Sequence, residues 1–283
     1  MRFSALGRIA AALVIASSAA PSSAAAAAES GASPLAEAAF ACGRLVNLPT
    51  TRTLSRGEAL FRVSHRFIYP TRSGRESLYG LDGPAAIYLS LGYGFTDALQ
   101  ATLGRTNLRD EIDLEIAWRF LEQEQKRPSP VAASIVVAGS LTTETAEGEK
   151  VFRSDNAHAS VQLVVSRMLG RGVSVMAVPS YAHNTDYDRP GEETTVALGL
   201  GSRVSLGEEV SVAAEWTPVL SGFGTARDAW AFGVEAAPGG HVFHVFVTNA
   251  SGLTTNQFLP GGDLRGEAGE LRFGFNIYRT LWF

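Results

Sequence analysis

Residues 111–120 read Glu-Ile-Asp-Leu-Glu-Ile-Ala-Trp-Arg-Phe, which puts Ile112, Leu114, Ile116, Trp118 and Phe120 on one parity and Glu111, Asp113, Glu115 and Arg119 on the other. Successive side chains of a strand point to opposite faces, so this period of two describes a strand with one apolar and one polar face. The rhythm recurs in both directions along the chain. Ile87, Leu89, Leu91, Tyr93 and Phe95 oppose Tyr88, Ser90, Gly92 and Gly94, and Val196, Leu198 and Leu200 oppose Ala197, Gly199, Gly201 and Arg203. Val210, Val212 and Trp216 oppose Ser211, Ala213 and Glu215, while Trp230, Phe232 and Val234 oppose Ala231, Gly233 and Glu235. The last such segment sets Leu271, Phe273, Phe275 and Ile277 against Arg272, Gly274, Asn276 and Tyr278.

Read this way the chain has about twelve strands, near 58–69, 85–95, 98–106, 110–121, 130–141, 157–168, 173–182, 194–205, 209–217, 229–236, 241–249 and 269–282. The connections alternate too. Thr96-Asp97, Leu169 to Gly172, Leu206 to Glu208 and Pro238 to Gly240 are tight turns rich in residues that tolerate positive φ. Between them lie the long polar loops 70–84, 142–156, 183–193, 218–228 and 250–268. Short turns at one rim and long loops at the other, with an even strand number, is the pattern of a bacterial outer-membrane barrel. Two connections fit it less well: 107–109 is short where a long loop is expected, and 122–129 exceeds a turn.

The ends and the composition agree with export. Arg2 and Arg8 flank the start, an apolar stretch runs from Ile9 to Ala16, and small residues end in Ala26-Ala27-Ala28. That order predicts a signal peptide over residues 1–28, too short in its apolar part for a spanning helix of about 20 residues. The whole chain is 46% hydrophobic with a mean hydropathy of +0.07, yet the part after residue 28 holds no uninterrupted apolar run of spanning length. Its apolar residues are instead distributed strand by strand. A formal net charge of −4 without a basic stripe argues against nucleic acid as a partner. Cys42 is the only cysteine, so no intramolecular disulfide is expected, and Ala39-Phe40-Ala41 before it matches a lipidation site poorly.

Alternation alone does not distinguish a lipid-facing surface from the dry core of a periplasmic all-β protein. Three features favour lipid. The polar parity is rich in Gly, Ala and Ser, as in a crowded lumen. Aromatic residues Phe61, Tyr69, Phe95, Trp118, Tyr181, Trp216 and Trp230 fall near strand ends, where an interfacial girdle is expected. A soluble meander of twelve strands is also long for an open sheet. The expected fold is therefore an all-β transmembrane antiparallel up-and-down barrel over 57–283. Residues 29–56, with Pro34, Pro49, Arg44, Arg52 and Arg56, precede it as a periplasmic arm or as a lumen plug.

Certain local sequences also carry a resemblance. At Arg62-Val63-Ser64-His65-Arg66-Phe67, Gly80-Leu81-Asp82, Gly92-Tyr93-Gly94-Phe95-Thr96-Asp97 and Gly104-Arg105-Thr106, the chain resembles a family of bacterial β-barrel proteins known as a domain of unknown function. The likeness runs from about Leu54 to the C-terminus, through Gly239-Gly240-His241-Val242-Phe243 and Thr254-Thr255-Asn256-Gln257. It implies an outer-membrane barrel and supplies no substrate, cofactor or catalytic residue. The terminal Phe283, with Leu281, Ile277 and Phe275 at alternate positions before it, resembles the signal read by barrel-assembly machinery, a partner expected on that basis; Arg279 breaks the pattern.

The residues with chemical potential lie on the inward parity: Arg62, Arg66, Arg119, Arg203 and Arg272 with Glu111, Asp113, Glu115, Glu215 and Glu235. Enclosed charges must be paired or hydrated, so two readings follow: cross-strand ion pairs bracing the interior, or a constriction with Arg on one wall and carboxylates on another that orients a small polar solute. A lipid hydrolase with bilayer-facing Ser and His is the enzymatic alternative. His65 falls on the lipid-facing parity, but no Gly-x-Ser-x-Gly accompanies it, and no catalytic residue is assigned. His158 and His244 read as inward. Asn184, Asp186 and Asp188 have oxygen ligands at calcium-loop spacing without the required glycine and later glutamate, so no metal or cofactor is expected. The leading expectation is a small-solute channel or diffusion facilitator in the outer membrane; the alternative is a closed structural or interaction barrel working through its loops. The solute and the oligomeric state are not legible.

Overall fold

A computed structural model describes residues 39–123, 129–144, 151–170, 172–189, 191, 193–225 and 227–282. The expected signal peptide (1–28), residues 29–38 and the assembly residue Phe283 lie outside the described residues. The strands are β1 (Glu58–Phe67), β2 (Ala85–Thr96), β3 (Leu99–Thr106), β4 (Glu111–Leu121), β5 (Ala132–Thr142), β6 (Ala157–Gly170) and β7 (Val173–His183). They continue with β8 (Thr194–Ser205), β9 (Val210–Thr217), β10 (Val219–Gly222), β11 (Ala229–Ala236), β12 (His241–Thr248) and β13 (Arg272–Trp282).

Each strand from β1 to β8 pairs antiparallel with the next, β8 pairs with β9, and the wall continues through β11 and β12 to β13. Pairing of β13 with β1, from Glu58 opposite Trp282 to Arg66 opposite Gly274, closes the barrel. All twelve strands read from the alternation are present, and the thirteenth, β10, was not anticipated. It runs along the same partner as β9: Trp216 lies opposite Leu200 and Val219 opposite Ala197. Pro218 separates the two because it has no N–H to give the ladder, although its carbonyl still accepts from Leu198 N at 3.0 Å. β9 and β10 thus form one wall strand with a break, and the closed barrel counts twelve. Closure pairs the strands' edges with one another, which a segment in hydrocarbon requires.

Side-chain parity follows the sequence reading. Leu114 is 48% exposed on the outer surface while its neighbour Glu115 is 7% exposed inside. Among the described residues no helix is long and apolar enough to cross a membrane. The short 107–110 connection stands at the long-loop rim, because Arg109 (φ 61°) and Asp110 (φ 48°) are both left-handed and reverse the chain within two residues. Asn107 then fastens the corner to β2, donating to Ala85 O at 2.9 Å and accepting from Ile87 N at 2.7 Å.

The lumen is filled by two segments from outside the wall. Residues 39–56 carry Phe40, Leu45 and Leu48, all buried, and the in-folded loop after β12 carries Phe258 and Leu259 on a single helical turn and its end. These five join one apolar cluster with Ala117, Val136, Val164, Val178, Ala182, Ala197 and Ala213 of the inner wall. The small wall residues are what make the space. Gly199 and Gly201 of β8 lie against Leu48 and Leu45, where an added Cβ would overlap the leucine methyls.

Candidate functional site in the barrel lumen

All ten inward charged residues named from the parity are buried, and the barrel sorts most of them into two ladders. The basic ladder runs along β1 and β13. Register sets Arg62 opposite Tyr278, Ser64 opposite Asn276 and Arg66 opposite Gly274, with Arg272 two residues further along β13. The acidic ladder is Glu111, Asp113 and Glu115 on β4. Tyr88 of β2 stands between them: its hydroxyl donates to Asp113 Oδ2 at 3.2 Å and its ring lies 4.8 Å from Arg62 Cζ. Arg203 and Glu235 form a separate pair at 2.7 Å, extended by His244 Nε2 at 3.0 Å from Glu235.

The expected brace of cross-strand ion pairs is therefore only part of what is found, because the inserted segments supply many of the partners. Arg44 pairs with Glu115. Burial lowers the pKa of this guanidinium, but Glu115, Tyr88, Tyr278 and Asp113 together reverse that, so it is held above its ordinary value and stays charged. Glu215 accepts the backbone N–H groups of Val46 (3.1 Å), Asn47 (2.9 Å) and Leu48 (3.1 Å), and Asn47 Nδ2 at 2.6 Å. Asn47 Oδ1 in turn accepts from Arg66 Nη2 at 2.9 Å. Thr51 Oγ1 meets Ser166 Oγ of β6 at 2.7 Å, and Leu54 N donates to Gln100 of β3 at 2.8 Å. Of the other arginines in the segment, Arg52 donates to Phe40 O at 3.1 Å and Arg56 N to Asp97 Oδ1 at 2.9 Å.

The loop rim is tied in the same way. Tyr187 donates to Glu111 Oε2 at 2.6 Å, and burial first and Glu111 second hold its phenol well above its usual pKa, as a neutral donor. Gln257 Nε2 donates to Glu111 Oε2 at 3.1 Å and to Leu108 O at 3.0 Å. Arg272 pairs with Asp263, and Arg119 with Glu122. Asn47, Tyr187, Gln257 and Asp263 were missed by sequence reasoning. The Thr-x-x-Gln spacing of 254–257 is a helix-start signal that could have located the helical turn inside the long loop.

The remaining candidates resolve into structural roles. His65 faces outward, its ring stacked on Phe275 with centroids 4.8 Å apart and tilted against Phe67 at 4.4 Å. His158 bridges Thr142 Oγ1 (2.9 Å) and Asn184 O (2.5 Å). Asn184, left-handed at φ 60°, holds Asp155 O and Ala157 O, while Asp186 accepts from Asp188 N and Arg189. Among the described residues no group of three or more His, Cys, Asp or Glu is placed to hold a metal ion. Cys42 is buried, with Sγ 4.0 Å from His244 Nε2. Of the residues expected to form an aromatic girdle, Phe61, Tyr69, Phe95, Trp118, Tyr181 and Trp216 are exposed on the outer surface. Trp230 differs: it is half-buried beneath the returning loop, with Gly266 against its indole nitrogen.

A family model described as "Membrane bound beta barrel domain (DUF5777)" matches residues 40–281, so the match takes in the lumenal segment as well as the wall. No curated protein matches the chain. Among solved structures, the chain is similar to the NanC porin at 8% identity and a TM-score of 0.47, covering 80% of this chain and 99% of that one. It is similar to the COG4313 outer membrane channel from Pseudomonas putida F1 at 12% identity and 0.49, covering 82% and 98%. LpxR from Salmonella typhimurium follows at 12% identity and 0.36, covering 80% and 100%.

Proposed function

The chain belongs to the membrane-bound β-barrel domain family DUF5777, and on that premise we propose that it is an outer-membrane diffusion channel for a small polar solute, closed at rest by its own residues 39–56. The observation that carries this reading is the incomplete pairing of the two ladders. Arg66 Nε, Arg272 Nε and Nη1, Glu111 Oε1 and Asp113 Oδ1 are buried without a hydrogen-bond partner among the described residues. Buried charge left unsatisfied is strongly destabilising, so a wall built this way suits a polar path better than a sealed core. The ladders supply opposite charge across that path, an arrangement that orients dipolar solutes.

The path is blocked by a segment that, besides its apolar contacts, is held through polar contacts to Glu215, Glu115, Arg66 and Gln100, and these polar contacts exchange for water more readily than a dry interface does. Export through the signal peptide and insertion by the barrel-assembly machinery belong to this proposal, as does passage without turnover. Cys42 and Glu235 both approach the same nitrogen of His244, so the imidazole is not placed to relay a proton from thiol to carboxylate.

A closed structural barrel is the second reading, favoured by the apolar cluster that joins Phe40, Leu45 and Leu48 to Phe258 and Leu259. Planar-bilayer recording of the folded full chain separates the two. Unitary openings that become more frequent in Glu215→Ala support the channel. Absence of unitary conductance in both proteins across salts and voltages would leave the structural barrel.

A further inference from the structure

Arg66 and Arg272 are the least solvent-accessible charged groups of the basic ladder, at 0% and 1% exposure. Among the described residues Arg66 makes only neutral hydrogen bonds: Nη1 to Asn276 Oδ1 at 3.0 Å and His65 O at 3.1 Å, and Nη2 to Asn47 Oδ1 at 2.9 Å, with the Phe246 ring 4.3 Å from Cζ. A guanidinium this deep with no hydrogen-bonded carboxylate is uncommon, since buried charges are normally paired. Arg272 has one carboxylate, Asp263, which belongs to the in-folded loop rather than to the wall. The two arginines are diagonal neighbours on β1 and β13, and between them three guanidinium nitrogens have no partner among the described residues.

Asp263 is placed differently from the arginines. Its side chain is 50% exposed at the long-loop rim, and among the described residues its Oδ1 accepts only from Ser251 N of the same loop, at 2.9 Å. It therefore brings a carboxylate to the ladder from the solvent side and can be withdrawn with the loop.

We propose that Arg66 and Arg272 form the seat for an oxyanion of a small solute, a carboxylate or a phosphate, and that Asp263 occupies the Arg272 side of this seat in the resting protein. The proposal deepens the channel reading by giving the solute a charge. Guanidinium N–H groups match planar carboxylate and phosphate oxygens in paired hydrogen bonds, while a neutral solute leaves these donors unmatched and a cation is repelled by both. An incoming anion displaces Asp263, and loop 249–271 moves away from the ladder with it.

Isothermal titration of the folded full-length barrel in detergent at low ionic strength, with inorganic phosphate, gluconate and glucose as probes, tests this. Saturable binding of phosphate or gluconate, with none of glucose, is expected, and whichever anion binds tighter identifies the headgroup. Arg66→Gln and Arg272→Gln each weaken that binding about tenfold or more, the loss of one charge-assisted contact. Asp263→Asn removes the resident competitor and tightens it several-fold. That variant alters only a half-exposed loop residue, so it decides the matter even if a Gln variant fails the heat-modifiable migration check for folding. No saturable anion binding to wild type and Asp263→Asn, or undiminished binding by the folded Gln variants, overturns the site. Bilayer conductance without anion binding would leave the channel and remove the seat; binding without conductance would do the reverse.

Discussion

The carboxylate of Glu215 holds Asn47 at both its side-chain and its backbone nitrogen, at 2.6 and 2.9 Å, and so fixes the lumenal segment to β9 at one point. The same carboxylate accepts the N–H groups of Val46 and Leu48, so Glu215→Ala strands several buried donors at once. Each lost charge-assisted bond is worth about 1.5–3 kcal/mol. Hydrogen exchange read by mass spectrometry should show amides 45–48 losing protection while those of β4 to β7 keep theirs. Unchanged protection at 45–48 would mean that the apolar contacts alone seat the segment.

Arg44 and Glu115 offer a charge-reversal test of the second attachment. Breaking a buried ion pair from one side costs about 3–5 kcal/mol, because the surviving charge is left uncompensated. Arg44→Glu places a carboxylate beside both Glu115 and Asp113, and should drive the segment from its seat; adding Glu115→Arg should restore it. Cys42 is the reporter, being buried close to Arg44. Its maleimide labelling should be slow in wild type, faster by about tenfold or more in the single variant, and slow again in the double. Equal labelling of single and double variants would show that the pair does not hold the segment.

How far the molecule was legible can be judged at β8. Alternation placed Gly199 and Gly201 on the inward face, and the abundance of small residues there was readable as crowding. What crowds them, Leu48 and Leu45, was not, because residues 39–56 lack the periodicity that sets a strand's direction and give no local signal of where they lodge. The same limit explains the charges. Parity identifies Glu215 and Arg272 as inward, but partners such as Asn47 and Asp263 lie 168 and nine residues away in irregular segments whose path depends on tertiary contacts. Strand β10 escaped for a different reason: Pro218 ends the alternating run, although the chain resumes along the same neighbour.

That reading of β8 gives a third expectation. Gly199→Val introduces bulk where Leu48 now packs, and overpacking of this kind costs about 1–3 kcal/mol. The clash falls on the flexible end of Leu48, on a segment without ladder partners in the wall, whereas the wall is held by its own ladders, so the segment should yield first. Labelling of Cys42 should rise while the heat-modifiable shift of the folded barrel is retained. A variant that loses the shift would place the strain in the wall instead.

The assignment of faces underlies every other expectation, and adjacent residues of β4 test it. Leu114 points outward, opposite Leu103 of β3 and Gly139 of β5, whereas Glu115 points inward to Arg44. A cation on the lipid face near the bilayer midplane costs about 2–4 kcal/mol, since hydrocarbon offers it neither water nor a partner. Leu114→Arg should therefore lower the yield of folded barrel in lipid vesicles and its denaturant midpoint. Glu115→Gln keeps the shape of an inward side chain and adds nothing to the lipid face, so insertion should be close to wild type. Its effect should appear in the lumen, where Arg44 loses its charged partner and Cys42 labelling rises. Equal tolerance of the two substitutions, or the reverse order, would mean that the apolar parity meets no lipid.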